Sequence, residues 1–266
     1  MALRLLSRVQ SAFDRSAVSD AVFEDLLTDC SCYLIGDIHG RVDLLDRLLD
    51  KINEHVGATQ ISDPHLVFVG DYIDRGPDSA DVLERLQSIS RMLPDHVHCL
   101  MGNHERMLLD FLKYPTYAGP LWMRHGGLQT LDSFGITGAE ATGGPRHMQE
   151  VAHLLEDALL NMRPETLAWL EELPLSWQSG NLFVAHAGAD PLAPTDRQAS
   201  NSLIWGHAAF HTLPRRDGMW VAFGHTICDN VTMDQGRISL DTGAVNTGKL
   251  SALAAVPGQA PIVLQT

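Results

Sequence analysis

Six short stretches of this 266-residue chain place Asp, His or Asn beside glycine directly after an apolar run. They are residues 36–40 (Gly-Asp-Ile-His-Gly), 70–76 (Gly-Asp-Tyr-Ile-Asp-Arg-Gly), 102–105 (Gly-Asn-His-Glu), 186–188 (His-Ala-Gly), 224–225 (Gly-His) and 240–243 (Leu-Asp-Thr-Gly). Short apolar runs of this kind indicate buried strands, so the polar side chains are expected at several strand ends. Oxygen and imidazole ligands delivered in this way are what a two-metal hydrolytic site needs.

The first half of the chain alternates between predicted strands and predicted helices. Strands are predicted over Cys32–Ile35, His65–Val69 and Val97–Met101, and apolar residues at helical spacing separate them. This alternation favours parallel strands with right-handed crossovers. The first three motifs then lie at the carboxyl ends of adjacent strands, where open α/β sheets bind ligands.

The remainder of the chain is less regular. Residues 1–29 are predicted to form a helical extension, with Leu5, Leu6, Val9 and Phe13 at helical spacing. A loop-rich insertion that could cover the site is predicted over residues 113–163, with helices over Met148–Asn161 and Pro164–Leu173. The strands predicted from Leu182 to Leu264 are expected to form a second sheet packed on the first, within one domain.

The composition narrows the range of partners. The chain has 33 acidic and 19 basic residues, a formal net charge of −14, and no Lys/Arg cluster, which argues against nucleic-acid binding. We find no 18-residue apolar run and no secretory signal, so no membrane partner is expected and a cytoplasmic setting is predicted. An anionic substrate must therefore be attracted locally, by metal ions and a few arginines.

The 70–76 motif is the most specific of the six. The carboxylate of Asp71 can bridge two cations, Asp74 can orient a neighbouring group, and Arg75 offers a planar fork that matches phosphate oxygens. The alternative, without any function, is an acidic surface turn closed by an Arg–Asp ion pair.

The other motifs are weaker when each is taken alone. Asp37 and His39 would face one side of a continued strand, but they also suit a surface turn. Asn103 and His104 suit a metal ligand followed by a proton donor, or simply a helix N-cap beside an exposed imidazole. A lone histidine after a strand, such as His186 or His225, is usually structural. The coincidence of all these motifs favours the functional interpretation.

In this order, the motifs resemble those of the phosphoprotein phosphatase branch of the calcineurin-like metallophosphoesterases, especially its short bacterial serine/threonine phosphatases. The resemblance extends over roughly residues 30–245. It implies an α/β (α+β) fold, a four-layer sandwich of two mixed β-sheets flanked by helices, with residues 30–266 as the metallophosphoesterase domain.

The resemblance also implies two divalent metal ions, with Mn²⁺ expected and Fe or Zn²⁺ as alternatives. Asp37, His39 and Asp71 match the ligands of one ion. Asp71 would also bind the second ion. The other ligands of that ion would be Asn103, His186 and His225, which match the family's remaining positions.

The family's chemistry assigns roles to further residues. A hydroxide held between the ions would attack phosphorus directly, and His104, kept cationic by Asp74, would protonate the leaving alkoxide. Arg75 would bind the phosphoryl oxygens, and the amide of Asn103 would also meet the substrate.

One position departs from the family pattern. In bacterial relatives an arginine follows two residues after a tryptophan, whereas this chain has Trp205, Gly206 and His207. Either His207 binds the substrate phosphate in its place, or Arg124, Arg215 or Arg216 reaches the site, or the substrate differs.

The leading prediction is a metal-dependent phosphomonoester hydrolase acting on phosphoserine and phosphothreonine in proteins. A symmetrical bis(5′-nucleosyl)-tetraphosphatase, acting on a small phosphoester, shares these motifs and is the first alternative. An inactive member that serves as a binding module is a lesser one, and a nuclease or cyclic phosphodiesterase is disfavoured by Gly-Asn-His-Glu together with Asp74 and Arg75.

Overall fold

A computed structural model describes residues 23–266 of the chain. The apolar residues on which the N-terminal helical prediction rests lie outside the described residues. Residues 23–29 form no helix and instead run along the second sheet, where the amide of Leu27 donates to Asn181 and that of Asp29 donates to Ser179.

The first sheet begins with the predicted alternation of strands and helices. It contains β1 (Ser31–Ile35), β2 (Pro64–Phe68) and β3 (Val97–Cys99), joined by α1 (Val42–Thr59) and α2 (Ser79–Met92). β1 pairs in parallel with β2, and β2 pairs in parallel with β3. The three motif loops therefore share one edge of the sheet, as predicted from the sequence.

The segment predicted to be a loop-rich insertion is mostly helical. From residue 103 to residue 171 the chain forms α3 (Asn103–Lys113), α4 (Pro115–Trp122), a π-type turn over Met123–Gly127, α5 (Leu128–Ser133), α6 (Pro145–Met162) and α7 (Thr166–Glu171). The last two correspond to the helices predicted over Met148–Asn161 and Pro164–Leu173. Its glycines are packing positions rather than loop signals: a Cβ on Gly119 would lie 2.9 Å from the Phe111 ring, and one on Gly127 would lie 2.6 Å from Trp122. The loop prediction is therefore wrong for α4 and α5, where glycine serves packing, whereas residues 134–144 form neither helix nor strand.

The second sheet contains β4 (Ser176–Ser179), β5 (Leu182–Ala185), β6 (Trp220–Phe223), β7 (Thr232–Asp234) and β8 (Arg237–Ser239), in the order β4-β5-β6-β8-β7. The sequence did not predict β4. A short 3₁₀ turn over Thr195–Arg197, α8 (Ser200–Trp205) and α9 (Ala244–Thr247) lie in the connections.

The last two strands were placed in the wrong sheet by the sequence. β9 (Ser251–Ala255) pairs antiparallel with β1, and β10 (Ile262–Gln265) pairs antiparallel with β9, so the first sheet has the order β10-β9-β1-β2-β3. Apolar alternation predicts a strand but not its partner, because every buried strand offers the same backbone groups to its neighbours.

Alternating side chains on the strands build the four layers. Tyr33 and Ile35 of β1 pack in the core beneath the helices, whereas Cys32 and Leu34 belong to the core between the sheets. In β5, Val184 faces that same inter-sheet core and Phe183 faces the outer layer that includes α8. The result is the predicted sandwich of two mixed sheets with flanking helices. Among residues 23–266, no helix combines the length and apolarity needed to cross a membrane.

Candidate active site

Five strand ends bring the polar motifs to one place. The loops after β1 and β2 are joined by backbone hydrogen bonds, since the amides of Ile38 and His39 donate to the Asp71 carbonyl and the amide of Gly40 donates to the Tyr72 carbonyl. The loop after β3 joins them through the His104 amide, which donates to the Asp71 carboxylate. The ends of β5 and β6 are joined by a backbone hydrogen bond, because the amide of Gly224 donates to the His186 carbonyl. The site is therefore built on the ends of both sheets.

The backbone turns sharply at the site residues. Five non-glycine residues of the site have positive φ angles: His39, Asp71, Asp74, Arg75 and His225. Such angles cost free energy for residues with a Cβ and are typical of functional sites. The positive φ of His39 also corrects the expectation that Asp37 and His39 continue a strand.

Asp71 lies at the centre of the cluster. Its carboxylate oxygens lie 3.5 Å from Nε2 of His39 and 3.3 Å from Nε2 of His186. It also accepts a hydrogen bond of 3.1 Å from the amide of His104. Asp71 thus faces groups from three different loops.

Asn103 joins the two histidines of the second sheet. Its Oδ1 lies 2.8 Å from Nε2 of His186 and 2.8 Å from Nδ1 of His225. His186, His225 and Asp71 each offer one atom within 4.8 Å of the others, and so do His39, Asp71 and His104. These two groups of side chains could each hold a metal ion.

Asp37 completes the cluster on the side of the second sheet. Its Oδ2 accepts a hydrogen bond of 2.9 Å from the amide of His225, while its Oδ1 is buried and has no hydrogen-bond partner in the described structure. Burial, together with the nearby carboxylates of Asp241 and Asp71, raises the pKa of Asp37 well above its ordinary value. A buried carboxylate among other carboxylates is costly without a cation, so this oxygen suits a metal.

The protonation states suit the same chemistry. Burial lowers the pKa of His39 to about 3 and that of His186 to about 4, and it also lowers the pKa of His225. Burial raises the pKa of Asp71, but the surrounding imidazoles outweigh it and the net direction is downward. Neutral imidazoles and an ionised carboxylate are the forms that bind metal ions.

His104 is held differently from the other histidines. Its Nδ1 lies 2.6 Å from Oδ2 of Asp74, which also accepts a hydrogen bond of 2.9 Å from Nε1 of Trp122. Oδ1 of Asp74 accepts from the Thr130 hydroxyl at 2.6 Å. Burial opposes the charged form of His104, but the Asp71 and Asp74 carboxylates outweigh it, so the pKa of His104 is raised.

Arg75 spans the open side of the cluster. One terminal nitrogen of its guanidinium lies 3.0 Å from Nε2 of His39, and the other lies 3.0 Å from Nε2 of His104. Since arginine only donates, Nε2 of His39 and, in the neutral form of the ring, Nε2 of His104 accept from it; the charged form of His104 needs Arg75 to turn away. Arg75 also lines an open groove of about 610 Å³ together with Arg124 and Asn246.

Glu105 is a buried residue of the site to which the sequence analysis gave no role. Its Oε2 accepts from the amides of Asp71 and Gly102, and its Oε1 accepts from those of Tyr72 and Ile73. Burial and the charge of Asp71 raise the pKa of Glu105 to about 8. Glu105 fixes the loop after β2 to the start of α3, and its place in Gly-Asn-His-Glu was the available signal.

The sequence analysis assigned no role to three more residues of the site. Asp241 is buried beside Asp37, and its signal was the Leu-Asp-Thr-Gly stretch. Trp122 and Thr130 bind Asp74 from the helical segment that was predicted to be loop, and no sequence signal marked their contact.

His207 makes its polar contacts with residues outside the predicted site. Its Nε2 lies 3.9 Å from Asp190 and its Nδ1 accepts from the amide of Ala209, and within residues 23–266 it makes no hydrogen bond or ion pair with the rest of the site. Arg215 is buried and engaged by Asp217 and by the carbonyls of Asp190 and Ala193. Arg216 lines a different cavity. Of the alternatives, Arg124 alone shares the groove with Arg75.

Comparison with known proteins places this site in a family. Residues 31–229 match the family model described as calcineurin-like phosphoesterase. The chain is 26% identical to the asymmetrical bis(5′-nucleosyl)-tetraphosphatase PrpE of Halalkalibacterium halodurans, covering 86% of this chain and 95% of that protein. It is 28% identical to serine/threonine-protein phosphatase 2 of Escherichia coli, covering 82% and 90% respectively.

A solved structure shares the fold. The protein serine/threonine phosphatase from Saccharomyces cerevisiae superposes with a TM-score of 0.52 at 17% identity, over 90% of this chain and 80% of that one. The residues matched by the family model, 31–229, include all the motifs from Asp37 to His225. The resemblance predicted from the sequence is therefore confirmed. This chain belongs to the calcineurin-like phosphoesterase family and is a hydrolase of the metallophosphoesterase type.

Proposed function

We propose that this protein is a metal-dependent serine/threonine protein phosphatase that hydrolyses phosphomonoesters. The single observation that carries the proposal is the guanidinium of Arg75, which spans His39 and His104 over the Asp71 cluster. This arrangement puts a bidentate phosphate ligand, a proton donor and candidate metal ligands within one another's reach.

The proposed metal ligands are the six residues that the family pattern implies. One ion would be held by Asp37, His39 and Asp71, and the second by Asp71 together with the three further ligands, Asn103, His186 and His225. The neutral imidazoles and the unpartnered oxygen of Asp37 support this assignment. When bound, two such ions, with Mn²⁺ as the expected metal, supply charge that activates water and polarises the phosphoryl group.

His104 is the proposed general acid. Asp74 accepts the Nδ1 proton and fixes the ring, so the proton for the leaving oxygen must be held on Nε2. Although His104 lies within reach of a metal group with His39 and Asp71, its ion pair with Asp74 and its raised pKa favour proton donation over ligation.

Arg75 and Asn103 are proposed to hold the substrate phosphate. Arg75 would turn its two terminal nitrogens from the imidazoles to the phosphoryl oxygens, where charge grows during the reaction. The amide nitrogen of Asn103 would donate to the same group while its oxygen faces the histidines.

The groove beside Arg75 supports a phosphoprotein substrate. Its lining includes Met123, Arg124, His125, Gln129 and Asn246, with no Phe, Tyr or Trp among the residues that line it. Nucleotide bases usually stack on such aromatic faces, whereas a peptide chain needs polar and charged groups along an open cleft.

An asymmetrical bis(5′-nucleosyl)-tetraphosphatase is the second candidate. The observation that favours it is the name shared by relatives of similar identity. Those names specify asymmetrical cleavage, whereas the sequence analysis considered the symmetrical reaction. Arg75 and Arg124 in one groove could also bind a polyphosphate.

A direct competition distinguishes these functions. Protein loaded with Mn²⁺ is assayed against a phosphothreonine peptide and against diadenosine tetraphosphate, with phosphate release and nucleotide products measured separately. We expect a kcat/KM at least about tenfold higher for the peptide. ATP and AMP as the main products would support the second candidate, two ADP would indicate symmetrical cleavage, and no hydrolysis of either would refute the proposal. His104→Asn controls for contaminating phosphatases.

A further inference from the structure

A second group of histidines lies at the opposite end of the first sheet from the candidate active site. We call Asp63, His65, His96 and His98 the histidine cluster. His65 is the second residue of β2 and His96 directly precedes β3, whereas the loops of the candidate active site follow the carboxyl ends of these strands. His65 precedes Asp71 by six residues, a separation of roughly 20 Å along an extended strand.

The side chains of this cluster converge. Asp63, His65 and His96 each offer one ligand atom within 4.8 Å of the others. Nε2 of His96 lies 2.6 Å from Oδ1 of Asp63, and the rings of His65 and His96 are 5.0 Å apart. Three such ligands from two adjacent segments form an open site of the kind that binds a metal ion and leaves positions for water.

His98 supplies the support that metal-binding imidazoles need. Its Nε2 lies 3.1 Å from Nδ1 of His65, and the two rings are nearly parallel (6°) with centroids 5.4 Å apart. A hydrogen bond between two imidazole nitrogens needs one donor and one acceptor, so Nε2 of His98 can accept the Nδ1 proton of His65. That hydrogen bond orients the ring and leaves Nε2 of His65 for a metal.

The side chains of the histidine cluster need to move only slightly to bind a metal ion. Ligand atoms around a tetrahedral zinc ion stand roughly 3.3 Å apart, given Zn–N bonds of about 2.0–2.1 Å. The side chain of Asp63 is 70% exposed and that of His96 is 35% exposed, so both can rotate without disturbing the core. By contrast, His65 is held between His98 and Trp177 and provides the fixed ligand.

We propose that Asp63, His65 and His96 form a second, peripheral metal site that takes Zn²⁺ or another imidazole-preferring divalent ion. Two imidazoles and one carboxylate favour Zn²⁺, Ni²⁺ and Cu²⁺ over Mn²⁺, which prefers oxygen ligands and binds such sites most weakly. An ion bound there connects the segment before β2 with the turn before β3, so it stabilises this end of the sheet by binding the folded state.

Zinc stoichiometry tests the site without relying on activity. Metal-free protein without an affinity tag is titrated with Zn²⁺ by calorimetry, and bound zinc is counted by elemental analysis. We expect the wild type to bind one Zn²⁺ more per chain than the double variant His65→Gln/His96→Gln. Asp71→Asn, which weakens only the candidate active site, keeps this additional ion. Equal zinc content in the wild type and the double variant overturns the proposal.

Matched variants separate ligation from folding. His153→Gln removes an exposed histidine that pairs with Asp157 at 3.7 Å on α6, and it should bind as the wild type does. The single variant His96→Gln, at a half-exposed position, should fold normally and bind at least about tenfold more weakly. His98→Phe keeps an aromatic ring at this position but removes the acceptor, and it should weaken binding about 10- to 100-fold. Unchanged affinity in His96→Gln refutes the site.

Trp177 provides an independent signal, because its ring centroid lies 5.4 Å from that of His98 and 6.3 Å from that of His65. Cu²⁺ bound at the cluster should quench its fluorescence. The quenching should remain in Asp71→Asn and be lost in both Trp177→Phe and His65→Gln/His96→Gln. Quenching that is the same in the double variant as in the wild type would contradict the assignment.

Discussion

Burial lowers the pKa of His39 and His186, whereas the pKa of His104 is raised, and the Nδ1 partners of the three rings differ in the same sense. His39 donates to the carbonyl of Ile73 and His186 to that of Val69, and a neutral acceptor does little to favour an imidazolium. His104 instead faces the carboxylate of Asp74. The same side-chain type can therefore serve as metal ligand in two positions and as proton donor in the third.

The substitutions His104→Asn and Asp74→Asn test the proposed acid. Each should lower kcat on alkyl phosphates by about 10²- to 10⁴-fold, the usual contribution of general acid catalysis. The loss should be smaller on p-nitrophenyl phosphate, because its leaving group needs less protonation. Steady-state kinetics on both substrates provides the comparison, with the exposed His153→Asn as control. Equal losses on the two substrates would exclude His104 as the acid.

The pH profile should report the same pair. A general acid is active when protonated, so kcat should fall as the pH rises through the pKa of His104, which is raised above its ordinary value. Asp74→Asn removes a carboxylate that favours the charged ring, and this alkaline limb should move to lower pH. Profiles of kcat on an alkyl phosphate would reveal the shift. If the alkaline limb of the profile is at the same pH in Asp74→Asn as in the wild type, a group other than His104 is responsible for it.

Three basic residues near the site can be ranked by substitution. Arg124→Ala should raise KM for a phosphopeptide about three- to tenfold, since Arg124 lines the groove beside Arg75. Arg215→Ala should instead lower the melting temperature, because its guanidinium binds Asp217 and two carbonyls. His207→Ala is the informative case. If His207→Ala raises KM as much as Arg124→Ala does, His207 contacts the substrate phosphate.

The start of α3 shows how one element positions the loops around it. Glu105 accepts four backbone amides from the β2 and β3 loops, and Gly102 lies so close to Asp71 that an added Cβ would be 2.3 Å from the Asp71 nitrogen. The glycine is required for space, since its φ of −90° is available to any residue. Close contact here sets the separation between Asn103 and Asp71.

A pair of glycine substitutions tests this packing. Gly102→Ala must displace the β2 loop or α3, so it should lower the free energy of unfolding by about 1–3 kcal/mol and reduce activity further by moving Asp71. Gly57→Ala, within α1 and with nothing within 4 Å of the added Cβ, should raise that free energy by up to about 1 kcal/mol. Denaturant unfolding measures both. A neutral Gly102→Ala would refute the close contact.

At the scale of the whole molecule, the proposed metal ions would connect the two sheets. The proposed ligands come from the ends of strands in both sheets, so metal removal should abolish activity and lower the melting temperature. Protein dialysed against a chelator and then reloaded should contain two Mn²⁺ per chain. Asp71→Asn should lose most of both, whereas His225→Gln should lose one. A fully active protein with one Mn²⁺ per chain would contradict the shared role of Asp71.

Much of the site could be predicted because its signals are local. Asp37, Asp71, Asn103 and their neighbours each follow an apolar run within a few residues, and local sequence determines both the strand and its end. Asp74 and Arg75 were recognised in the same way. Trp122 and Thr130 were not, because their contact with Asp74 spans 48 and 56 residues and depends on how α4 and α5 pack.

The N-terminal half of the first sheet was predicted for a similar reason. Two strand–helix–strand units leave essentially one arrangement for β1, β2 and β3, since crossover connections are short and of one hand. The helices α4 and α5 were missed because Gly119 and Gly127 favour loops locally, but in the fold they allow aromatic rings to pack against the backbone.

By itself, the sequence determined the motifs, the parallel core and the family, because these depend on short-range patterns of apolar and polar residues. Only the tertiary structure decided that β9 and β10 join the first sheet, that Arg124 rather than Arg215 shares the groove with Arg75, and that Asp63, His65 and His96 meet. Each of these depends on contacts between residues far apart in the chain. Strand pairing and side-chain packing select such contacts among alternatives that local patterns leave equivalent.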